Sequence, residues 1–248
     1  MTDTTLASRF ESSFSVIPAT TDELRKKVYQ LRHQVYCAEL GYEPQRDNGL
    51  EHDAFDERSI HCLLFHKPSQ TYAGCVRLVL PDIQDADEPL PFENSCGQSL
   101  EWNFDPTGET PRENYGEISR LAITANFRRR RSEVAMDDEA GGALDDLADN
   151  ERRLFPSVAM GLYVAITAMG LNQGLDGVFA MMEPRLARQL RRFGIVFTQV
   201  GAQVEHRGVR APFFIHRNSL FDNLKPHCRE LLEKIQSQLH FNTELSAA

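Results

Sequence analysis

The 248-residue sequence predicts a mixed α/β fold, in which helices pack on the faces of a central sheet. Strand-like runs alternate with helix-like runs along the chain. A strand–helix–strand order between residues 115 and 182 predicts a right-handed crossover between parallel strands. Hydrophobic residues make up 41% and charged residues 25% of the chain, as in globular proteins that bury a full core. We therefore expect one domain over residues 1–248, interrupted by insertions.

The first part of the chain predicts a strand, a helix and a hairpin. Residues 14–17 form a short strand-like run. A capping-box pattern at Thr20 predicts the start of a helix, and Gly41 is expected to end it. Residues 60–65 and 72–80 are strand-like runs joined by a short turn, which is typical of a hairpin.

The second part of the chain is interrupted twice. Residues 81–114 contain five prolines and no hydrophobic period, so we expect an irregular insertion there. The following elements are a strand over 115–124, an acidic insertion over 132–150, a helix over 152–172, a strand over 176–182, a helix that begins at Pro184, strands over 198–205 and 213–216, and a final helix over about 224–239.

Bulk composition excludes several classes of protein. The net charge of −9 argues against a general nucleic-acid binder. No apolar run approaches the roughly 20 residues of a membrane span. The first residues lack the basic and apolar regions of a secretion signal, so we expect none. The five cysteines lack a Cys-x-x-Cys spacing, which favours reduced thiols in a cytoplasmic protein. The histidines show no metal-ligand spacing, so we expect no metal.

Several charged residues are set inside apolar sequence of strand type. Burying a lone charge is costly, so such charges should meet one another. Together they would form a neutral polar cluster at the mouth of the sheet, which is the first place to look for a site. The residues in question are Arg32, Asp53, Asp56, Arg77, Glu117 and Arg120.

The local motifs around these charges form a recognisable pattern. Its members are Arg32 and Tyr36 in Arg-x-x-x-aromatic, Asp53 and Asp56 in Asp-x-x-Asp, Gly74, Cys75, Arg77 and Leu78 in Gly-Cys-x-Arg-Leu, and Glu117, Ser119 and Arg120 in Glu-x-Ser-Arg. In these motifs the chain resembles the acyl-homoserine-lactone synthases and the N-acyl amino acid synthases, which have the GNAT acyltransferase fold. The matches run from about residue 28 to 197. The resemblance implies a GNAT-like fold with a mixed sheet flanked by helices.

Two departures from the lactone synthases change what the resemblance implies. Tyr42 stands where those enzymes usually carry Trp, and the insertions at 81–114 and 132–150 are long. These features resemble the acyltransferases associated with the PEP-CTERM/exosortase system. The implied acceptor is then an amine, such as an amino acid, rather than S-adenosylmethionine. The implied donor is acyl-carrier protein, with acyl-CoA second.

Glu117 is our first candidate for the catalytic base. Acyl transfer to an amine requires removal of a proton, which a carboxylate can take directly or through water. The resemblance places Glu117 on the strand beside the thioester. The alternative is that it only pairs with Arg32, Arg77 or Arg120. In a regular strand Glu117 and Arg120 point to opposite faces, so a shared cluster requires a bulge between them.

The other members of the cluster have two possible roles. Asp53 and Asp56 could bind the acceptor amine, or they could cap a loop and tie it to Arg32 and Arg77. Arg32 and Arg77 are expected to organise the network, and an arginine could also take an acceptor carboxylate in bidentate fashion.

The resemblance places the donor at the end of the central strand. The implied donor-binding residues are Leu121, Ile123, Arg128, Arg129, Arg130 and Arg131. The basic run departs from the glycine-rich loop that wraps pyrophosphate in CoA users, and it suits the acidic surface of acyl-carrier protein. The alternative is a solvated charge run without a fixed partner.

An acyl tunnel is expected between the long helix and the next strand. Its candidate lining residues are Tyr163, Phe179, Met181 and Met182. Methionine suits a flexible lipid chain, although ordinary core packing is the alternative for each residue. Met182 falls where the resembled family contacts the acyl chain.

The resemblance thus implies an N-acyltransferase without a bound cofactor, which joins a fatty acyl group to a small-molecule amine. Direct attack of the amine on the thioester needs no covalent enzyme intermediate, and no cysteine falls on a nucleophile motif. One alternative is an acyl-homoserine-lactone synthase that uses S-adenosylmethionine. Another is a non-catalytic protein that binds acyl thioesters or lipids.

Overall fold

The structure is a computed structural model that describes residues 5–82, 84–85, 88–96, 100, 112–128 and 154–246, with side chains from 158 to 239 in the last range. It has a mixed α/β fold with a central, mostly antiparallel sheet flanked by helices, as the sequence predicts. Among these residues, no helix is long and apolar enough to cross a membrane.

The predicted strands and helices follow one another in the predicted order, and the structure adds short helices that the sequence did not predict. The strands are β1 Phe14–Pro18, β2 Ser59–His66, β3 Thr71–Val79, β4 Tyr115–Ile123, β5 Gly177–Met182, β6 Thr198–Gln199, β7 Val204–Glu205 and β8 Val209–His216. The α-helices are α1 Leu6–Ser13, α2 Asp22–Arg32, α3 Pro91–Cys96, α4 Ala125–Arg128, α5 Leu154–Asn172, α6 Pro184–Arg191, α7 Arg217–Asn223 and α8 Pro226–Ser246. A π-helix spans His33–Glu39, and 3₁₀-helices span Ala54–Arg58 and Arg112–Asn114.

The described sheet opens in its middle. Its strand order is β1-β2-β3-β4-β5-β8-β6, with β7 paired to β8. The predicted parallel pairing of β4 with β5 is confirmed, but its last pair is Ile118 with Ala180. Because β4 continues to Ile123, the two strands separate beyond that pair. The separation leaves a wedge between adjacent strands.

The core lies on both faces of the sheet. On one face, Leu162 and Ile166 of α5 are buried in one apolar cluster with Leu78 of β3, and α8 adds Leu231. On the other face, Val28 of α2 belongs to a second cluster built against β2, β3 and β4. These two layers hold β3 and β4 in place at the wedge.

Some element bounds differ from the sequence prediction. The N-cap of α2 is Thr21, not Thr20, because the Thr21 side chain accepts the N–H of Leu24. The predicted helix then changes to π-helix before it reaches Gly41, which has a left-handed φ of 63° as expected for a residue that ends a helix.

Other differences lie in the second part of the chain. The predicted strand over 198–205 is two short strands, β6 and β7, and β8 begins at Val209, four residues before the predicted start. The acidic insertion over 132–150 lies outside the described residues. So do residues 97–99 and 101–111 of the insertion predicted over 81–114. Helix α3 begins at Pro91, inside the segment expected to be irregular.

Candidate active site

Arg32 lies at the junction where α2 ends and the π-helix begins, and it is fully buried. Its Nε donates to Oε2 of Glu51 at 2.5 Å, and its Nη1 donates to Oδ1 of Asp56 at 2.6 Å. Glu51 is also fully buried. The ion pair between Arg32 and Asp56 agrees with the prediction that these charges lie together. Glu51 was not among the residues predicted for the cluster.

The two predicted aspartates form a capping box on the 3₁₀-helix. Oδ1 of Asp53 accepts the N–H of Phe55 at 3.0 Å, and Oδ2 of Asp56 accepts the N–H of Asp53 at 2.8 Å. Each carboxylate also pairs with Arg77. Both aspartates therefore act as caps that tie this loop to the arginines, which is the second of the two roles considered for them. Binding of the acceptor amine stays a prediction.

Arg77 projects from β3 into the same cluster and is fully buried. Its Nη1 donates to Oδ1 of Asp53 at 2.6 Å and to Oδ1 of Asp56 at 3.0 Å. Its Nε donates to Oγ of Ser119 at 3.0 Å, and the two residues are register partners on β3 and β4. Arg77 thus joins the capped loop to the central strand.

The predicted bulge in β4 is confirmed. The register between β3 and β4 shifts by one residue, because Arg77 pairs with Ser119 but Cys75 pairs with Ala122. Arg120 lies inside this shift with a left-handed φ of 50°. Its Nε donates to Oε1 of Glu51 at 3.2 Å and its Nη2 to Oδ2 of Asp53 at 3.1 Å. In a regular strand the Arg120 side chain would point away from the cluster. The bulge directs it into the cluster instead.

Gly74 shows why the motif on β3 requires glycine. A Cβ added at Gly74 would lie 2.5 Å from the backbone oxygen of Ala122 on β4. Since that oxygen belongs to a strand in the middle of the sheet, it cannot move aside without disturbing the register. Glycine therefore permits the close approach of β3 to the bulged part of β4.

We call the six charged residues in this network the paired cluster. They are Arg32, Glu51, Asp53, Asp56, Arg77 and Arg120. Burial alone would raise the pKa of Asp56, but Arg32 and Arg77 hold it well below its usual range. Burial alone would likewise raise the pKa of Glu51, but its bonds to Arg32 and Arg120 lower it. The paired cluster is therefore ionised and internally neutral at pH 7.

Glu117 differs from the paired cluster although it lies two residues before Ser119. Its side chain is buried, and its Oε2 accepts the backbone N–H of Phe92 at 2.7 Å. Burial raises the pKa of Glu117 to about 8, against weaker lowering by that hydrogen bond and by the nearby charges of Arg77 and Arg120. Within the described residues it forms no ion pair. The alternative that Glu117 only pairs with an arginine of the cluster is therefore wrong.

A cleft of about 240 Å³ reaches Glu117 from the surface. Its walls include Asp53, Arg77 and Arg120 of the paired cluster, and Met181 near the end of β5. The cleft lies at the wedge where β4 and β5 separate. It therefore brings the predicted base and part of the predicted cluster onto one solvent-reachable surface.

The turn between β7 and β8, together with the start of β8, adds three basic residues to the cleft that sequence reasoning missed. His206, Arg207 and Arg210 line it beside Tyr36. Arg207 pairs with Glu43, which also lies 3.5 Å from Nη2 of Arg120. The available signal was Arg210 close to a strand-like run, as an arginine within a strand-like run was the signal at Arg77. Nothing in the sequence indicates that β8 lies beside β5.

The structure describes three of the six residues expected to bind the donor, and each of the three has a partner within the protein. The carbonyl of Leu121 accepts the Tyr36 hydroxyl at 2.7 Å, and Ile123 pairs with Gly74 in the sheet. Arg128 pairs with Glu39 of the π-helix, so its charge is already partly compensated. Arg129, Arg130 and Arg131 lie outside the described residues. The donor-binding role of all these residues stays a prediction.

The four expected acyl-pocket residues do not share one pocket. Phe179 and Met181 pack on the face that carries Phe92, where Phe179 stacks on Phe92 with a centroid distance of 4.5 Å. Met182 and Tyr163 belong to the core cluster on the opposite face, beneath α5. Alternation along β5 separates the two groups. Met181 lines the cleft, whereas Tyr163 lines a separate apolar cavity of about 40 Å³.

The cysteines are poor candidates for a nucleophile. All five are buried thiols rather than members of a disulfide. Burial raises the pKa of Cys75, next to the paired cluster, to about 12, and that of Cys228 to about 11. Only the thiolate is strongly nucleophilic, so these thiols are inactive near pH 7. This agrees with direct attack by an external amine.

The fold, the wedge between two parallel strands and the bulged central strand are those of GNAT-like acyltransferase structures. Residues 31–137 match the family described as "Acetyltransferase (GNAT) domain". The match covers the end of α2, the π-helix, the 3₁₀-helix with its capping box, and strands β2 to β4. It therefore includes every residue of the paired cluster and Glu117.

More particularly, the chain is homologous to proteins named acyl-homoserine-lactone synthase. It is 31% identical to the one from Aeromonas salmonicida over 106 residues, which is 42% of this chain and 45% of that relative. It is 25% identical to the one from Aeromonas hydrophila over 181 residues, which is 72% of each chain. The first alignment thus spans less than half of the relative's length.

Solved structures show the same fold. TofI, in a ternary complex with an inhibitor and MTA, has a TM-score of 0.57 and 17% identity, covering 87% of this chain and 99% of that chain. FeeM, an N-acyl amino acid synthase from uncultured soil microbes, has a TM-score of 0.51 and 13% identity, covering 85% of this chain and 94% of that chain.

Proposed function

We propose that this protein transfers an acyl group from a carrier thioester to the amine of a small molecule. The observation that carries the proposal is Glu117, a buried carboxyl with a raised pKa and no ion pair among the described residues, in a cleft at the wedge. Titratable groups with such environments are concentrated at functional sites. The homology to acyl-homoserine-lactone synthases indicates which chemistry to expect.

Glu117 is suited to accept the amine proton. With a pKa of about 8, its carboxylate is a stronger base than an ordinary glutamate, and a substantial fraction is ionised at mildly alkaline pH. The amine attacks the thioester carbonyl carbon, a C–N bond forms and the C–S bond breaks. The proton passes from the amine to Glu117, directly or through water, and then to the departing thiolate.

The separated part of β4 could stabilise the thioester oxygen. Beyond Ile118, the side of β4 that faces β5 has no strand partner in the described sheet. Backbone N–H groups on that side are therefore free to donate to an oxygen that gains negative charge during the reaction. A thioester in the wedge would place its carbonyl between this edge and Glu117.

Two acceptors are supported by different relatives. The sequence relatives are named acyl-homoserine-lactone synthases, which supports S-adenosylmethionine at least as well as an amino acid. FeeM is named an N-acyl amino acid synthase, and Tyr42 with the long insertions also supports an amino acid acceptor. The donor in either case is acyl-carrier protein or CoA, and the association with the PEP-CTERM/exosortase system stays a prediction.

A product analysis separates these possibilities. Full-length protein is incubated with acyl-carrier-protein and acyl-CoA thioesters of several chain lengths, and with either S-adenosylmethionine or a mixture of amino acids. Release of free thiol and an N-acyl product in the mass spectrum are expected. Release of methylthioadenosine identifies the lactone synthase reaction, and an N-acyl amino acid identifies the other.

The same experiment can contradict the proposal. If no combination of donor and acceptor releases thiol above a protein-free control, acyl transfer is wrong. Binding of acyl thioesters without turnover would then favour the non-catalytic alternative.

A further inference from the structure

Arg210 is a guanidinium in the cleft without a partner in the described part of the chain. It is the second residue of β8 and is half-buried. Its Nε is shielded from solvent and makes no hydrogen bond. Alternation along β8 places Arg210 on the same face as Phe214, which packs against Phe179 on the Glu117 face of the sheet.

The other arginines that line or support the cleft are already neutralised. Arg32, Arg77 and Arg120 pair with Glu51, Asp53 and Asp56, and Arg207 pairs with Glu43. Glu117 cannot compensate Arg210 at pH 7, because most of it is protonated there. Arg210 therefore adds an uncompensated positive charge to the cleft wall.

His206 lies near Arg210 in the lining of the cleft. The pKa of His206 is lowered, first by its burial and then by the positive charges of Arg207, Arg210 and Arg120, so it does not ionise at pH 7. Asp53 also lines the cleft, but it pairs with two arginines of the paired cluster. Among the described residues, no carboxylate pairs with Arg210, which leaves its guanidinium available to an anionic ligand group.

We propose that Arg210 is the residue that binds the carboxylate of the acceptor, and that it thereby selects an α-amino acid over a simple amine. This inference rests on the proposed function and adds to it the residue that determines acceptor specificity. Arginine is well suited to the role, because its planar guanidinium can donate two parallel hydrogen bonds to a carboxylate. A carboxylate at Arg210 keeps the neighbouring amine inside the cleft that holds Glu117.

The position of Arg210 favours the acceptor over the donor phosphate. Arg210 extends from β8 beside the end of β5, where Ala211 pairs with Met182. The donor residues implied by the sequence follow the end of β4, on the other side of the wedge. S-adenosylmethionine and amino acids, the two acceptors of the proposed function, both carry a carboxylate that Arg210 can bind. Simple amines lack one.

The test compares acceptors that differ only in the carboxylate. The probes are L-tyrosine with tyramine, L-methionine with 3-(methylthio)propylamine, and S-adenosylmethionine with its decarboxylated form. Thiol release gives kcat/KM, and calorimetric titration without thioester gives binding. The variants are Arg210→Gln, the conservative Arg210→Lys, and Arg188→Gln, which removes an exposed arginine of α6 outside the cleft.

We expect wild-type protein to prefer the carboxylate member of at least one pair by about 10-fold or more. Arg210→Gln should lower kcat/KM and binding for that member by about 10- to 100-fold and leave its carboxylate-free partner unchanged. Arg210→Lys should retain part of the preference, and Arg188→Gln should retain all of it.

Several results would overturn the inference. One is equal binding of both members of every pair by wild-type protein, including binding of neither. Another is an equal loss for both members in Arg210→Gln. A third is a loss that depends on the donor, seen with acyl-phosphopantetheine but not with acyl-pantetheine lacking the phosphate. If wild-type protein binds the carboxylate members through Arg210 but releases no thiol, the proposed function fails while the carboxylate site stands.

Discussion

Two parts of one cleft treat buried charge in opposite ways. In the paired cluster, three arginines and three carboxylates pair with one another. The carboxylates of Glu51 and Asp56 have a lowered pKa because of the arginines beside them, so they stay ionised although burial alone would raise it. On the opposite wall, Glu117 and Arg210 have no ion-pair partner in the described chain. The first part cannot change its protonation near neutral pH, whereas the second can take up a proton or an anion.

This difference indicates a division of roles. A fully paired buried network costs too much desolvation to be a source of net stability by itself, but losing one member is strongly unfavourable. Such a network fixes the geometry of the strands that carry it. The unpaired groups retain the capacity for chemistry and binding. We therefore assign positioning to the paired cluster and proton transfer to Glu117.

The largest effect is expected from breaking the paired cluster. Arg32→Met leaves Glu51 and Asp56 without their buried partner, so it should lower the free energy of unfolding by about 3–5 kcal/mol. Urea denaturation measures the change. The control is Arg25→Met, which removes an exposed pair with Asp22 and should cost less than about 1 kcal/mol. A similar small cost for Arg32→Met would show that the cluster does not hold the site together.

Glu117→Gln should have the opposite effect on stability at high pH. The folded-state pKa of about 8 lies above the ordinary value of 4.5, so the folded state holds the proton more tightly. The wild-type protein should thus lose stability as the pH rises from about 4.5 to above 8. Gln cannot ionise, so the variant should be more stable than wild type at pH 9 by about 5 kcal/mol and nearly equal at pH 4.

Thermal unfolding of wild type and Glu117→Gln between pH 4 and pH 9 measures this difference in stability. Glu233→Gln, on the exposed side of α8, is the matched control and should follow the wild-type curve. If Glu117→Gln also follows that curve, the pKa of Glu117 is not raised.

The rate of acyl transfer should depend on pH through the same group. Because the base must be deprotonated, kcat/KM should rise about tenfold per pH unit below the pKa of Glu117 and level off above about 8. Thiol release followed from pH 6 to 9.5 gives this profile. A profile that is flat over this range would assign the proton transfer to another group.

The smallest effect is expected at the edge of the site. Arg128→Gln breaks a partly exposed pair with Glu39, so it should change the free energy of unfolding by less than about 1 kcal/mol. Denaturant unfolding in low and high salt checks it, since screening should reduce the difference further. A loss of several kcal/mol would place Arg128 in the structural network instead.

The paired cluster could be predicted from sequence because burial forces charges to pair. Arg77 and Arg120 stand in apolar strand sequence, where an unpaired guanidinium would be too costly. The same reasoning required the bulge at Arg120, since strand alternation otherwise directs it away from Glu117. Glu51 lies in the same segment as Asp53, but only the folded loop shows that it bridges Arg32 and Arg120.

Glu117 itself was predicted as the base, but its surroundings and the position of Arg210 could not be, because they depend on contacts between distant segments. Phe92 reaches Glu117 from a segment that looked irregular, and Arg210 reaches the cleft because β8 pairs with β5. Alternation along β5 also places Met181 and Met182 on opposite faces of the sheet, although both are apolar and adjacent in sequence. These features are set by sheet order and register, which local patterns do not specify.

The most direct test of this division is the rate of thiol release by Glu117→Gln at pH 8, compared with wild type and with Glu233→Gln at equal folded fraction. We predict that Glu117→Gln loses about 100- to 10,000-fold in kcat while remaining folded, and that Glu233→Gln matches wild type. A folded Glu117→Gln variant that releases thiol at the wild-type rate would contradict the assignment of Glu117 as the base.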